Sequence, residues 1–327
     1  MPAQGEHFYR LGLLSCLLFP LSLVYGLLYR LHRAAYTIGL LKRKRAHAPV
    51  IVVGNLTVGG TGKTQLVISL ARYLSAMGFQ PGIIARGYKG KSPAWPREVD
   101  AESDPLQVGD EPVLMTVATG LPVCAGPNRY QCAERLIDKY HCNIIVSDDG
   151  LQHHRLHRDI EIAVIDGVRR FGNGLLFPAG PMRENESRLK TVDFVVCRDG
   201  KPKENELGLE YSASGFVNLR NGNKVALDYF SGIAVHAIAG IGNPEQFFRM
   251  LDKAGAVATR HIFPDHYAYR QRDLQFGDSL PVVMTQKDAV KCRRWANDRF
   301  WYLEISADLP EALTLGIMQR LKELPHG

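Results

Sequence analysis

Two rhythms of apolar and polar positions run along the chain. Short, mostly apolar runs at 50–53, 81–85, 121–125, 143–147, 160–166 and 193–197 read as strands, the first of them buried. Between them, 65–74 and 130–140 carry helical spacing, and Gly109-Asp110-Glu111-Pro112 opens a further helix with acids and a proline where a first turn favours them. Strands alternating with helices predict a mainly parallel α/β sheet covered on both sides. The stretch 92–107, rich in proline and charge, reads as a loop. Near residue 205 the rhythm changes. Asn221-Gly222-Asn223, set between alternating residues of 211–228, predicts a hairpin. A fresh α/β unit follows: a strand at 233–239, a turn through Gly240 and Gly242, a helix at 245–254 and a strand at 281–285.

The pattern divides the chain into an N-terminal segment (1–45), a core (46–210), a hairpin linker (211–230) and a smaller α/β domain (231–327). The first of these stands apart. Residues 11–29 carry no charge, and their length is near that of a membrane span. Pro20 interrupts the run, and Ser15, Ser22, Gly26, Tyr29 and Arg33 form a modest polar seam at helical spacing. Arg30, His32, Arg33 and the run Lys42-Arg43-Lys44-Arg45 form a basic collar suited to anionic headgroups. Attachment to a membrane is expected, with a helix lying in the interface favoured over a span. A helix packed in the protein's own core is the alternative.

Composition changes the picture little. Hydrophobic residues make up 46%, charged residues 22%, and the net charge of +7 suits an acidic partner. No nucleic-acid motif is present, and no obligate protein partner is indicated. No pair of the six cysteines has C-x-x-C spacing, so neither a zinc site nor a disulfide framework is expected.

The chemistry begins at Thr57-Val58-Gly59-Gly60-Thr61-Gly62-Lys63-Thr64, between a strand and a helix. That context makes a P-loop: backbone amides and the helix N-terminus surround phosphate, the lysine reaches the outer phosphates, and the Thr64 hydroxyl serves Mg²⁺. Thr57 stands where the usual first glycine would be. Asp148-Asp149 ends an apolar strand, the place of a carboxylate for the Mg²⁺ shell. Either aspartate could be the closer one. Gln152, His153, His154 and His157 follow, of which one or two are expected at the site. Asp110 and Glu111 on spacing alone could be ordinary helix-start acids. Arg183-Glu184 could be a surface ion pair. A GTPase is excluded: Ser147 stands three places before Gly150, and Thr285-Gln286-Lys287-Asp288 sets its lysine one place late.

Taken in order, VGNLTVGGTGKT, ARGYKG, GDEP, SDDGLQHHRLHRD, LLFPAGPMRE, FPDHY and MTQKDAVK resemble the tetraacyldisaccharide 4'-kinase family, the lipid A 4'-kinases of Gram-negative bacteria. The resemblance implies a P-loop NTPase-like core with a smaller second domain and an N-terminal membrane helix. It implies transfer of the γ-phosphoryl of ATP, with Mg²⁺, to the 4'-hydroxyl of an acylated glucosamine disaccharide at the cytoplasmic face of the inner membrane. Residues 57–64 would hold ATP, and Asp148 and Asp149 would serve Mg²⁺. Asp110 with His266 would accept the hydroxyl proton, and Arg183 would steady phosphate or lipid. Arg86, Tyr88, Glu111, Gln152 and His153 would meet the substrate. Gln65 departs from the proline frequent in that family.

Overall fold

The computed structural model describes residues 8–324. The chain starts with helix α1 (Leu13–Thr37) and continues as strand β1 (Val50–Gly54), helix α2 (Lys63–Ala76) and strands β2 (Pro81–Ala85) and β3 (Arg97–Val99). Then come α3 (Pro105–Val108), α4 (Asp110–Thr119), β4 (Val123–Ala125), α5 (Arg129–Tyr140), β5 (Ile144–Asp148), β6 (Ile160–Asp166) and β7 (Phe194–Arg198). The remainder is β8 (Leu207–Asn218), β9 (Lys224–Val225), β10 (Ala234–Ala239), α6 (Pro244–Lys253), β11 (Val257–Ile262), β12 (Val282–Thr285), α7 (Gln286–Cys292), β13 (Phe300–Asp308) and α8 (Glu311–Glu323).

The strands lie in the order β11-β10-β12-β13-β8-β7-β6-β1-β5-β2-β4-β3, with β9 paired to β8. Strand β8 joins the two halves. Its first residues pair parallel with β7, and its later ones pair antiparallel with β13. The predicted hairpin is present as β8 and β9, pairing Phe216 with Val225 and Val217 with Lys224, but its first arm is the seam of the whole sheet. The stretch 92–107 is not wholly a loop. It contains β3, an antiparallel edge strand on β4, and the one-turn helix α3 capped by Asp104. Three residues of strand have too little periodicity to register against a proline-rich background.

The mostly apolar runs are central strands because both faces of the sheet are covered: β1, β2, β5 and β6 are buried throughout. Helix α2 lays Leu66, Leu70 and Leu74, all fully buried, on one face. Each such side chain contributes about 1.5–3 kcal/mol by leaving water. Helix α5 covers the opposite face with Cys132, Ala133 and Leu136.

Helix α1 is built the other way round. Its buried positions are Ser15, Ser22 and Gly26, while Leu13, Leu17, Leu21, Leu23, Leu27 and Leu28 are exposed. Water does not favour such a helix; a lipid phase does, since apolar side chains facing outward need an apolar solvent. Only 17% of its most apolar window is buried, which disposes of the core-helix alternative. Small residues on the inner face permit close approach: a Cβ on Gly26 would lie 2.8 Å from Leu176 Cδ1.

Candidate active site

The turn between β1 and α2 has the conformation that its glycines allow. Gly59 and Gly62 hold φ of +107° and +79°, a region that side chains other than glycine's rarely enter. A Cβ at Gly59 or Gly60 would meet nothing, so the loop is open on that side. At Gly62 it would lie 2.5 Å from Arg198 Nη1, because β7 and Tyr211 of β8 close on the loop from behind. Thr57 is nearly buried, and both its carbonyl and hydroxyl oxygens accept from Asn55 Nδ2, at 2.9 and 3.4 Å. Its side chain belongs to the scaffold of the loop, which explains how a threonine serves where a glycine is usual. The Val58 N–H donates to Pro181 O at 2.7 Å and is committed there. Thr61 is buried, and its Oγ1 has no hydrogen-bond partner.

Lys63 opens α2. Its Nζ donates to Asn55 Oδ1 at 2.9 Å and lies 3.3 Å from Asp149 Oδ1. Arg183 reaches the same carboxylate, with Nη1 3.1 and 3.0 Å from its two oxygens, and touches Gln152 Oε1 at 3.3 Å. Gln152 Nε2 donates to Asn55 O and Glu184 Oε1. Burial works to raise the Asp149 carboxyl, but the charges of Lys63 and Arg183 outweigh it and hold it well below the usual carboxylate range.

Asp148 differs in every respect. It is 3% exposed, its Oδ1 has no hydrogen-bond partner, and burial, with the charge of Glu111 next in weight, pushes its carboxyl up to about 7. A buried carboxylate oxygen without a partner beside a P-loop is the arrangement a hard cation satisfies. The free Asp148 oxygen therefore fits Mg²⁺, while Asp149 is engaged by the cations Lys63 and Arg183. The sequence alone left these two aspartates equivalent.

Across from this corner, the turn after β11 brings His266 to the start of α4. His266 Nδ1 donates to Asp110 Oδ2 at 2.9 Å. Tyr88 packs edge-on against the His266 ring at 5.4 Å. Lys287, in the first turn of α7, completes the group: its Nζ lies 3.4 Å from Glu111, 3.5 Å from Asp265, 3.9 Å from Asp110 and 3.4 Å from His266 Nε2. Asp110 is 6% exposed. Burial would raise its carboxyl, but the hydrogen bond from His266 and the charge of Lys287 leave it below the ordinary value. The nearby acids in turn raise Lys287 in spite of its burial, so it stays charged. Asp110, Glu111 and His266 could by spacing hold a metal ion; the Lys287 ammonium already supplies the positive charge there. A cavity of about 510 Å³ opens beside the pair, lined by Tyr88, Leu106, Arg220, Tyr267 and Arg293 among others.

The chain belongs to the tetraacyldisaccharide-1-P 4'-kinase family. The model of that family matches residues 14–322. The tetraacyldisaccharide 4'-kinase of Nitrosococcus oceani is 45% identical over 94% of this chain and 90% of its own length. That of Methylobacillus flagellatus is 46% identical over 94% and 92%. Among solved structures, LpxK from Aquifex aeolicus, crystallised with ATP, superposes with a TM-score of 0.81 at 28% identity, covering 94% of this chain and 99% of that one.

Within this kinase the expected residues fall into two groups. Lys63, Asp149, Gln152 and Arg183 form one hydrogen-bonded network; Tyr88, Asp110, Glu111 and His266 form the other. Arg86 is exposed after β2, and its charge reaches Arg129 and His153. His153 is held at about 4, by burial first and then by Arg129, so its imidazole is neutral at pH 7. His154 is not part of either network: it contacts Tyr29 of α1 at 3.0 Å. His157 pairs with the exposed Arg45 and with the buried carboxylate of Asp159.

Asn55, Lys287 and Arg129 went unassigned in the sequence. Asn55 and Lys287 were visible within VGNLTVGGTGKT and MTQKDAVK, without a role. Arg129, 2% exposed at the start of α5, donates from Nη2 to Asp148 O, and its Nη1 is buried without a partner. Nothing in the sequence around an arginine after a helix cap announces such a role.

Proposed function

We propose that this kinase transfers the γ-phosphoryl group of ATP to the 4'-hydroxyl of a tetraacylated glucosamine disaccharide 1-phosphate, working peripherally or as a monotopic protein on the cytoplasmic face of the bacterial inner membrane. The observation that carries the reading is the Asp110–His266 hydrogen bond of 2.9 Å, with the P-loop lysine fixed in the same enzyme. A nucleotide-driven switch has no use for a buried carboxylate–imidazole pair; an enzyme that must take a proton from an alcohol does.

The residues divide the work. The open amides around Gly59 and Gly60 and the N-terminus of α2 receive the phosphates, and Lys63 neutralises their charge. Mg²⁺, held through Thr64 and Asp148, would supply further charge neutralisation when bound. Asp110, kept ionised and oriented by His266, accepts the proton of the attacking hydroxyl. The new bond joins that oxygen to the γ-phosphorus, the bond to the β-phosphate oxygen breaks, and ADP leaves. Lys287 and Glu111 hold the pair in place from α7 and α4. Arg183 steadies Asp149 and through it Lys63; Tyr88, in the lining of the cavity beside the pair, and the exposed Arg86 would meet the acceptor.

The outward-facing leucines of α1, with Arg30, Arg33 and the 42–45 collar, supply the attachment to lipid. An acceptor anchored by acyl chains then meets the enzyme at the bilayer surface. The test is a mass measurement: acylated disaccharide incubated with the protein and MgATP should gain the mass of one phosphate on the lipid. Phosphate released to water alone, with the lipid unchanged, would favour the switch reading.

A further inference from the structure

Between α1 and the P-loop lies a segment, residues 173–184, that touches both. On its outer side Ser22, 3% exposed, donates through Oγ to Leu176 O at 2.8 Å and accepts from the Ala179 N–H at 2.9 Å. One turn on, the Tyr25 hydroxyl donates to Arg183 O at 3.0 Å. On its inner side the segment is bound to the chain entering the phosphate loop. Val58 N donates to Pro181 O at 2.7 Å, Arg183 N donates to Leu56 O at 2.6 Å, and Met182 bridges Thr57 antiparallel. Near its end the Arg183 guanidinium holds Asp149, which holds Lys63.

From these contacts we infer that Ser22 and Tyr25 are positioning residues for phosphoryl transfer: α1, seated in lipid, sets the phosphate loop and Arg183 through the 173–184 strap. The physical reason is the shortness and directness of the path. Both the backbone carbonyl and the guanidinium of Arg183 are engaged, one by α1 and the other by the catalytic corner. A displacement of α1 must carry the strap with it or leave the buried Ala179 N–H unpaired, which is costly. Displacements of about 1 Å at a reacting centre lower turnover roughly a hundred-fold. The inner face of α1 has small and hydroxylic residues because it is a docking face, while its outer face meets lipid.

The inference rests on the proposed seating of α1 in the membrane. Full-length wild type, Ser22→Ala, Ser22→Thr and Tyr25→Phe are compared by flotation with phosphatidylethanolamine–phosphatidylglycerol vesicles. The same vesicles, containing acylated disaccharide at saturation, give kcat and the KM for MgATP. Flotation is expected to stay at the wild-type level in all variants. The kcat should fall about ten-fold or more in Ser22→Ala, fall less in Tyr25→Phe, and be recovered in Ser22→Thr, which keeps the hydroxyl. Tyr25→Phe retains the ring against Phe177 and Tyr29, so it decides the matter if Ser22→Ala fails to fold. Normal kcat and KM in floating variants overturn the coupling and leave the kinase reading intact. Activity lost only in proportion to flotation also overturns it, since Ser22 and Tyr25 would then serve attachment alone. Wild type that does not float removes the membrane reading and the coupling with it.

Discussion

The two lysines of the candidate site, Lys63 and Lys287, are held in different ways. Lys63 is gripped by Asn55 at 2.9 Å and Asp149 at 3.3 Å, with Arg183 on the far side of that carboxylate. All of these residues belong to the half of the sheet around β1 and β5. Lys287 has more partners but looser ones: Glu111, Asp265, His266 and Asp110 at 3.4–3.9 Å. These partners come from α4 and from the turn after β11, on opposite sides of β8, while Lys287 itself is in α7. The phosphate corner is thus complete within one half, while the proton-accepting corner exists only when the two halves pack. Damage to the first should act on charge neutralisation without moving the halves. Damage to the second should act on turnover with ATP binding spared.

The largest effect is expected from Lys63→Ala. Removing a preorganised cation from the transferring phosphoryl group should lower kcat about 10²- to 10³-fold. The fold should survive, because Asp149 keeps Arg183 and α2 keeps its buried leucines. Turnover measured beside the melting temperature checks this. Wild-type turnover in a folded Lys63→Ala protein would remove the phosphate corner from the mechanism.

Next comes the pair. Asp110→Asn and His266→Ala should each lower kcat about 10²- to 10⁴-fold, with the KM for ATP little changed. If the two act as one proton acceptor, the double variant should be barely worse than the poorer single one. Independent, multiplicative losses would break the pairing. A fall in melting temperature with normal kcat would make Asp110 a helix-start acid and nothing more.

How much of this was legible in the sequence follows the same division. The P-loop and the strand-end aspartates of the phosphate corner were readable because their chemistry is local, each with a signature over a few residues, whereas Arg183 and Gln152 were assigned only through resemblance. Strands β2 and β6 were readable to the residue from their apolar runs. The proton-accepting corner was readable only through resemblance, since no local pattern ties residue 110 to residue 266. The role of Lys287 escaped, because a lysine in the first turn of a short helix looks like any surface lysine until tertiary packing surrounds it with acids. The strap was visible as LLFPAGPMRE, yet its role depends on carbonyls and amides, which every residue has. The twelve-residue β8 looked like one arm of a hairpin because alternation reports a strand's two faces and not its neighbours. Asp148 and Asp149 could not be told apart, since adjacent strand-end residues point to opposite sides and only the packing says which side holds Lys63.

The smallest predicted effect probes the seam between the corners. Gln65, two residues after Lys63, is buried and donates from Nε2 to Gln286 Oε1 at 3.0 Å. Gln286 precedes Lys287, so this hydrogen bond ties the start of α2 to the start of α7. Gln286 Oε1 also accepts from Ile305 N at 3.2 Å, and Gln65 Oε1 is itself buried without a partner. Gln65→Leu therefore removes one hydrogen bond and one unsatisfied acceptor together, and leaves Gln286 with a donor. These terms oppose each other, so stability should change by no more than about 1 kcal/mol, a shift of about 2–4 °C in Tm. What is lost is the tie in position. Lys287 should hold its acids less well, and kcat should fall about two- to five-fold while the KM for ATP stays at its wild-type value. An unchanged kcat would mean that the packing of α4 on α7 alone fixes the proton-accepting corner. A raised KM for ATP would mean that the phosphate corner is not complete in its own half, and the contrast between the two lysines would fail.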